Sequence, residues 1–232
     1  MHYLFIDESY PPVESGKTIS MAAWIVAQDK FDNFFPKIHD LYRTPVLASI
    51  DSMLETVDGL AVVAHASLSH DIFRVDEIDS TDDISTMART DNIWSECLIF
   101  LAGTVIKESI RRNREIEIID IYHDPKSLKA DHAIAMIKTL SDQVVSMAKQ
   151  YVLESNILLL DHLEIRHIKA VEKSQGKQPN IFQVGTWVSD KLCGLKCDSV
   201  KSKEFSRIIV KDISELVRRT AQQFDGKSFE ED

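Results

Sequence analysis

The pattern of apolar and polar positions divides the first third of the chain into strands and turns. An unbroken apolar run, Tyr3–Ile6, is typical of a strand buried on both faces within an α/β sheet. Residues Thr18–Ala27 are apolar and rich in strand-forming side chains, and a proline- and glycine-containing turn at 11–16 separates the two runs. This pattern predicts an antiparallel hairpin, and Leu60–Leu68 predicts a third strand.

Helices and a loop are predicted around the third strand. Two helices fill the gap before it, and the second begins sharply, with Thr44 as N-cap and Pro45 in the first helical position. Residues 70–92 are polar, acidic and without periodicity, so they predict a long loop or lid. A helix over 93–112 and a strand over 115–122 follow.

The second half of the chain continues the alternation of helices and strands. An amphipathic helix is predicted within 134–151, a strand-forming run within 156–169, and a further helix from near Phe182. Residues 225–232 form an acidic tail that we expect to fray. A final helix is indicated by apolar residues at helical spacing, namely Ile209, Ile213, Leu216 and Val217. We therefore predict one α/β domain over residues 1–224, with an antiparallel N-terminal hairpin, then alternating helices and strands.

Composition places the chain among ordinary globular proteins. Of its 232 residues, 44% are hydrophobic and 28% are charged, as in soluble domains. No apolar run reaches the length of a membrane span, and the N-terminus lacks a signal-peptide pattern, so we expect no membrane association. Three cysteines argue for a reducing compartment rather than a disulfide framework. We expect a cytoplasmic, prokaryotic protein.

The formal net charge of −10 limits the mode of nucleic-acid binding. Affinity for phosphate comes largely from Lys and Arg, so simple avid binding of nucleic acid is disfavoured. A nuclease is not excluded by the charge, because bound metal ions would neutralise several acids and basic residues can concentrate on one face.

Two adjacent acids and a hydroxyl, Asp7, Glu8 and Ser9, end the first apolar run. Side chains alternate along a strand, so Asp7 and Glu8 would project to opposite faces. A carboxylate at the end of a buried strand is costly to desolvate unless it meets a cation or strong donors. Two interpretations follow: the strand ends here with both acids solvated, or Asp7 is a metal ligand.

The run of apolar residues followed by Asp7-Glu8-Ser9 resembles the opening motif of a large prokaryotic family, the domain of unknown function 3800 family. Two later segments are similar to further landmarks of that family. Residues 116–124 match a strand that ends in an acid, and residues 183–190 match a Q-x-A-D element that opens a late helix. The chain departs from the family at Tyr10, where glycine is usual, and at Gly185 and Thr186, which replace the alanine and aspartate of Q-x-A-D.

The resemblance implies a ribonuclease-H-like fold and a divalent-metal-dependent nuclease or phosphodiesterase that acts on DNA or RNA. The metal would be Mg²⁺ or Mn²⁺, held by converging carboxylates. The predicted catalytic and metal-binding residues are Asp7, Asp124 and Asp190. The predicted residues that contact substrate or support the ligands are Glu8, Ser9, His123, Gln183 and Thr186.

Asp7 and Asp124 would be neighbours if their strands lie side by side, and Pro125 favours an extended backbone at Asp124. Asp120 is the alternative in that segment, although it also fits a strand residue that points to solvent. Asp190 lies one helical turn after Thr186, so it would face the same way and reach a shifted metal position.

Alternatives to these roles remain open. Gln183 would contact a ligand or phosphate, or simply bond the backbone at the start of its helix. His65 would be a ligand or a hydrogen-bonded core residue. The substitution at Thr186 also fits a catalytically degenerate subunit on the same fold, which binds nucleic acid or a protein partner.

Overall fold

Strand β1 (His2–Ser9) lies in the interior of a six-stranded mixed sheet. The computed structural model describes residues 1–9, 18–41, 47–67, 83–112, 115–123, 138–139, 142, 163–172, 179–194 and 205–224. The other strands are β2 (Thr18–Ala27), β3 (Leu60–Ser67), β4 (Ile118–His123), β5 (Glu164–Ala170) and β6 (Ile208–Asp212).

The strand order is β5-β4-β1-β2-β3-β6. Strands β1, β2 and β3 form an antiparallel meander. Strand β4 is parallel to β1, β5 is parallel to β4, and β6 is parallel to β3. The predicted α/β class is confirmed: a mixed sheet with an antiparallel N-terminal hairpin followed by alternating helices and strands, flanked by helices.

Helices cover both faces of the sheet. They are α1 (Gln28–Leu41), α2 (Leu47–Thr56), α3 (Asp83–Arg111), α4 (Ile181–Cys193) and α5 (Ser214–Phe224). Helices α3 and α5 pack on one face, against a core that includes Leu4, Ile6 and Ile121. Helices α1, α2 and α4 pack on the other face, over Phe5 and Trp24. In the described part of the chain, no helix combines the length and apolar character needed to cross a bilayer.

Two of the differences from the predicted boundaries change the type of element at a position. Helix α3 begins at Asp83, so residues 83–92 extend the helix rather than lie in the predicted loop. Ile209 lies in β6 and not in the final helix, which begins at Ser214. The β-branched residues Ile208, Ile209 and Val210 pair with β3 along the sheet edge, and this pairing outweighs the helical spacing of Ile209.

Several predictions fall outside the described residues and stay predictions. They are the N-cap at Thr44 with Pro45, the remainder of the loop at 70–82 and the acidic tail at 225–232. The amphipathic helix within 134–151 also lies there, apart from residues 138–139 and 142.

Candidate active site

Asp7 lies near the carboxyl end of β1 and is only 8% exposed. Side chains alternate along the strand, so Asp7 shares a face with Tyr3 and Phe5, which belong to the core beneath α4. Its strand neighbour on β2 is Ala22. The structure therefore places this carboxylate at a largely buried position in the interior of the sheet, on the face that α4 covers.

Strand β4 is the other neighbour of β1, and its carboxyl end lies at the same edge of the sheet. The parallel register pairs Ile6 with His123, the last residue of β4. The predicted proximity of Asp7 and Asp124 requires this side-by-side arrangement of the two strands. Asp124 itself lies outside the described residues, so its role stays a prediction.

His123 is buried, but it does not share a face with Asp7. Ile119 and Ile121 pack in the core beneath α3, and alternation along β4 gives His123 the same orientation. His123 therefore lies on the opposite face of the sheet from Asp7, and its predicted role at the Asp7 site stays a prediction. The backbones of Glu8 and Ser9 pair with β2, but their side chains are not among the described groups, so their predicted roles are untested.

Helix α4 approaches β1 closely because it carries a glycine at the contact. A Cβ atom at Gly185 would lie 2.1 Å from Cε1 of Phe5, so no larger residue fits this spacing. Trp24 Nε1 donates to the Gly185 carbonyl at 2.9 Å. Further along, the Cys193 thiol donates to the Asp7 carbonyl at 3.1 Å. These contacts hold α4 over the half of β1 that ends at Asp7.

Thr186 and Asp190 were predicted to face the same way on α4, but one is buried and the other is exposed. Thr186 is buried, and its hydroxyl contacts the carbonyls of Phe182 and Gln183 at 3.2 Å each. The carboxylate of Asp190 is 52% exposed and accepts from Lys191 at 2.9 Å. The contact with Lys191 involves one of the two carboxylate oxygens of Asp190.

Gln183 forms a capping box with Asn180 at the amino end of α4. Its Oε1 accepts from the Asn180 backbone N–H at 2.9 Å, and the Asn180 side chain accepts in return from Gln183 N–H. Its Nε2 donates to the carbonyl of Glu172 at 2.7 Å. Both polar atoms thus bond backbone groups, so the structural interpretation of Gln183 holds and the predicted contact with substrate is not supported.

Ser189 is a residue that the sequence analysis missed. It lies one turn after Gly185, is fully buried, and its hydroxyl has no hydrogen-bond partner within the described ranges. Its neighbours on the buried side of α4 include Val188 and Leu192. The sequence already shows this serine among the apolar residues of the helix, and that pattern could have drawn attention to it.

Asp120 belongs to a separate cluster toward the amino end of β4. It is 1% exposed and accepts from Arg166 Nε at 2.8 Å, while a second guanidinium nitrogen contacts its other oxygen. His167 Nδ1 lies 3.3 Å away. A bulge between β4 and β5 brings both Arg166 and His167 to this carboxylate. The interpretation of Asp120 as a residue that points to solvent is therefore wrong.

This cluster is distant from the candidate active site. Asp120 pairs with Tyr3 in the β1–β4 register, and Tyr3 lies four residues before Asp7, about 13 Å along a strand. Burial, together with the charge of Asp120, raises the pKa of Tyr122 to about 12. Burial also lowers the pKa of His167, and the charge of Asp120 opposes that shift.

A buried polar pair on β2 and β3 lies on the same face of the sheet as Asp7. Ser20 Oγ lies 2.8 Å from His65 Nδ1, and the two residues face each other across β2 and β3. His65 is thus a hydrogen-bonded residue of the sheet interior, the second of the two interpretations made for it.

The carboxylate of Asp7 suits a hard divalent cation. A carboxylate oxygen is a donor of the kind that Mg²⁺ takes. Within the described ranges, no group of three or more His, Cys, Asp or Glu residues is placed to hold a metal. The carboxylate of Asp7 fits Mg²⁺ or Mn²⁺ in chemistry, and the second predicted ligand, Asp124, lies outside the described residues.

Comparison with known proteins leaves the family open. No family model matches the chain, so membership of the domain of unknown function 3800 family stays a prediction, and no curated protein matches it significantly in sequence. Among solved structures, the chain is similar to the PCNA:RNase HII complex from Archaeoglobus fulgidus, with a TM-score of 0.38 and 11% identity. That match covers 99% of this chain and 92% of the other.

Proposed function

We propose that the protein is a divalent-metal-dependent nuclease or related phosphodiesterase that acts on nucleic acid. The observation that carries this proposal is the position of Asp7, a largely buried carboxylate near the end of β1. Burial of a carboxylate costs free energy that a cation can offset. The adjacent, parallel strand β4 leads directly to the sequence position of Asp124.

Asp7 and Asp124 would hold Mg²⁺ or Mn²⁺, which when bound would supply activation of water and stabilisation of the leaving oxygen. The chain's own contribution is to fix the first of these carboxylates. The ladder to β2 and β4 holds the backbone of β1, and the Cys193 thiol bonds the carbonyl of Asp7. Helix α4 covers this face and limits the access of bulk water to the carboxylate.

The resemblance of Asp7-Glu8-Ser9 to the opening motif of the domain of unknown function 3800 family supports the same proposal. In that family the motif precedes acidic residues suited to nuclease chemistry. The proposed substrate is a nucleic acid, and cleavage assays with both polymers distinguish DNA from RNA.

The test is cleavage of single- and double-stranded DNA and RNA with magnesium or manganese. We expect the wild-type protein to cleave at least one polymer and Asp7→Asn to lose the activity by a factor of about 100 or more. Asp29→Asn is the control, because Asp29 is an exposed acid at the start of α1. Equal cleavage by Asp7→Asn and wild type would refute the proposal.

A second candidate function is a catalytically degenerate subunit that binds nucleic acid or a protein partner. The observation that favours it is the state of α4, where Thr186 bonds helix carbonyls and Asp190 pairs with Lys191. This candidate predicts no cleavage under any of these conditions, with binding of nucleic acid or of the partner unchanged by Asp7→Asn. Turnover of small nucleotides without polymer cleavage would instead indicate a phosphodiesterase for small substrates.

A further inference from the structure

Helix α4 buries a hydroxyl group, that of Ser189, without satisfying it. Ser189 is fully buried, and its Oγ has no hydrogen-bond partner among the residues that the structure describes. A serine in a helix can bond the carbonyl one turn before it, yet this hydroxyl does not. A buried hydroxyl that lacks a partner destabilises a fold, so its position calls for a ligand or a partner group.

The contacts of α4 place Ser189 between Gly185, which packs on Phe5, and Cys193, which reaches Asp7. Phe182 packs on Tyr3, and Gly185 packs on Phe5, so α4 runs in the same direction as β1. Ser189 lies four helical residues after Gly185, a rise of about 6 Å. Asp7 lies two strand residues after Phe5, an advance of about 6.6 Å.

The orientation of the two side chains agrees with this placement. Gly185, Ser189 and Cys193 follow one another at four-residue spacing, so they form one stripe on α4. The first contacts Phe5 and the last bonds the Asp7 carbonyl. Asp7 shares the face of Phe5, so its carboxylate lies on the side of the sheet that this stripe covers.

We propose that Ser189 is a positioning residue for Asp7, an inference that rests on the proposed function. When one oxygen of the Asp7 carboxylate holds a cation, the Ser189 hydroxyl donates a hydrogen bond to the other. This bond fixes the orientation of the carboxylate. Helix α4 then supports the metal site through Ser189 rather than through Asp190. This chain carries Thr186 at the position where the family that it resembles has an aspartate.

The test combines melting temperature with titration of magnesium or manganese chloride. Ser189→Ala removes only the hydroxyl, so without metal we expect an unchanged or higher melting temperature. We expect the metal concentration at half-maximal stabilisation to rise by about 10- to 100-fold, as for other residues that orient a metal ligand. Ser189→Cys keeps a weak donor and should give an intermediate midpoint.

Ser109→Ala is the matched control, because Ser109 is another fully buried hydroxyl with no partner within the described ranges. It lies on α3, on the other face of the sheet, so its replacement should leave the metal midpoint unchanged.

The outcomes separate this inference from the proposed function. If Asp7→Asn abolishes the metal response and cleavage while Ser189→Ala keeps the wild-type midpoint, the inference about Ser189 is wrong and the nuclease proposal stands. If the wild-type protein neither responds to metal nor cleaves nucleic acid, both are wrong. A weakened metal response in Ser189→Ala together with an unchanged one in Ser109→Ala supports the inference.

Discussion

Gly185 of α4 lies directly on the ring of Phe5 in β1, so close that an added Cβ would stand 2.1 Å from Cε1. The ring cannot easily move away. It is fully buried and stacks on Trp24 and Tyr122, with centroid separations of 5.0 Å and 5.7 Å. Glycine at position 185 therefore has a physical reason, since the ring of Phe5 fills the space that a methyl group would need.

Gly185→Ala should destabilise the protein by about 1–3 kcal/mol, because the methyl group would overpack the contact between α4 and β1. Urea unfolding measures the change. Gly194→Ala is the control, because its Cβ would meet its nearest neighbour at an ordinary 3.5 Å. In a Phe5→Leu background the cost of Gly185→Ala should fall, and an unchanged cost would contradict the assignment to this contact.

Arg166→Gln should lower the free energy of unfolding, because it leaves the buried carboxylate of Asp120 without its main cation. Arg219→Gln should lower it by clearly less, because the pair of Arg219 with Glu215 is exposed on both sides. Chemical denaturation of both variants checks the contrast. Equal costs would mean that burial of Asp120 does not determine the strength of its pair.

The pKa of His167, lowered by burial, predicts a loss of stability in mild acid. Below the ordinary histidine pKa of 6.5, the unfolded chain binds a proton that the folded chain resists, so the free energy of unfolding falls as the pH falls. His167→Gln should flatten this dependence over the pH range just below 6.5. Unfolding free energies measured across that range for both proteins give the test, and parallel profiles would exclude His167 as the cause.

Asp7→Asn should remove the stabilisation by metal. If the folded wild-type protein alone binds Mg²⁺ or Mn²⁺, a hundredfold excess of metal over its dissociation constant stabilises it by about 2.7 kcal/mol. The melting temperature of wild type and of the exposed control Asp29→Asn should therefore rise with metal, and that of Asp7→Asn should not. Equal rises in all three proteins would show that Asp7 is not a ligand.

The sequence alone determined the elements whose burial follows a local pattern. The apolar run at the start of β1 predicted a strand in the interior of a sheet, and Thr18–Ala27 predicted its hairpin partner with the observed bounds. The start of α4 near Phe182 was also predicted, and its capping residues Asn180 and Gln183 are local in sequence. Such features depend on neighbouring residues only, so one stretch of sequence contains the information.

The tertiary structure alone decided which distant groups meet. Asp120 is buried because a bulge brings Arg166 to it from a strand 46 residues away, and no periodicity in either segment records that bulge. His123 lies on the opposite face of the sheet from Asp7, and Ser189 lies on the buried side of α4, because strand register and helix rotation set these positions. Sequence patterns show how strongly a position prefers burial, but the partner it meets there depends on the packing of segments that are far apart in the chain.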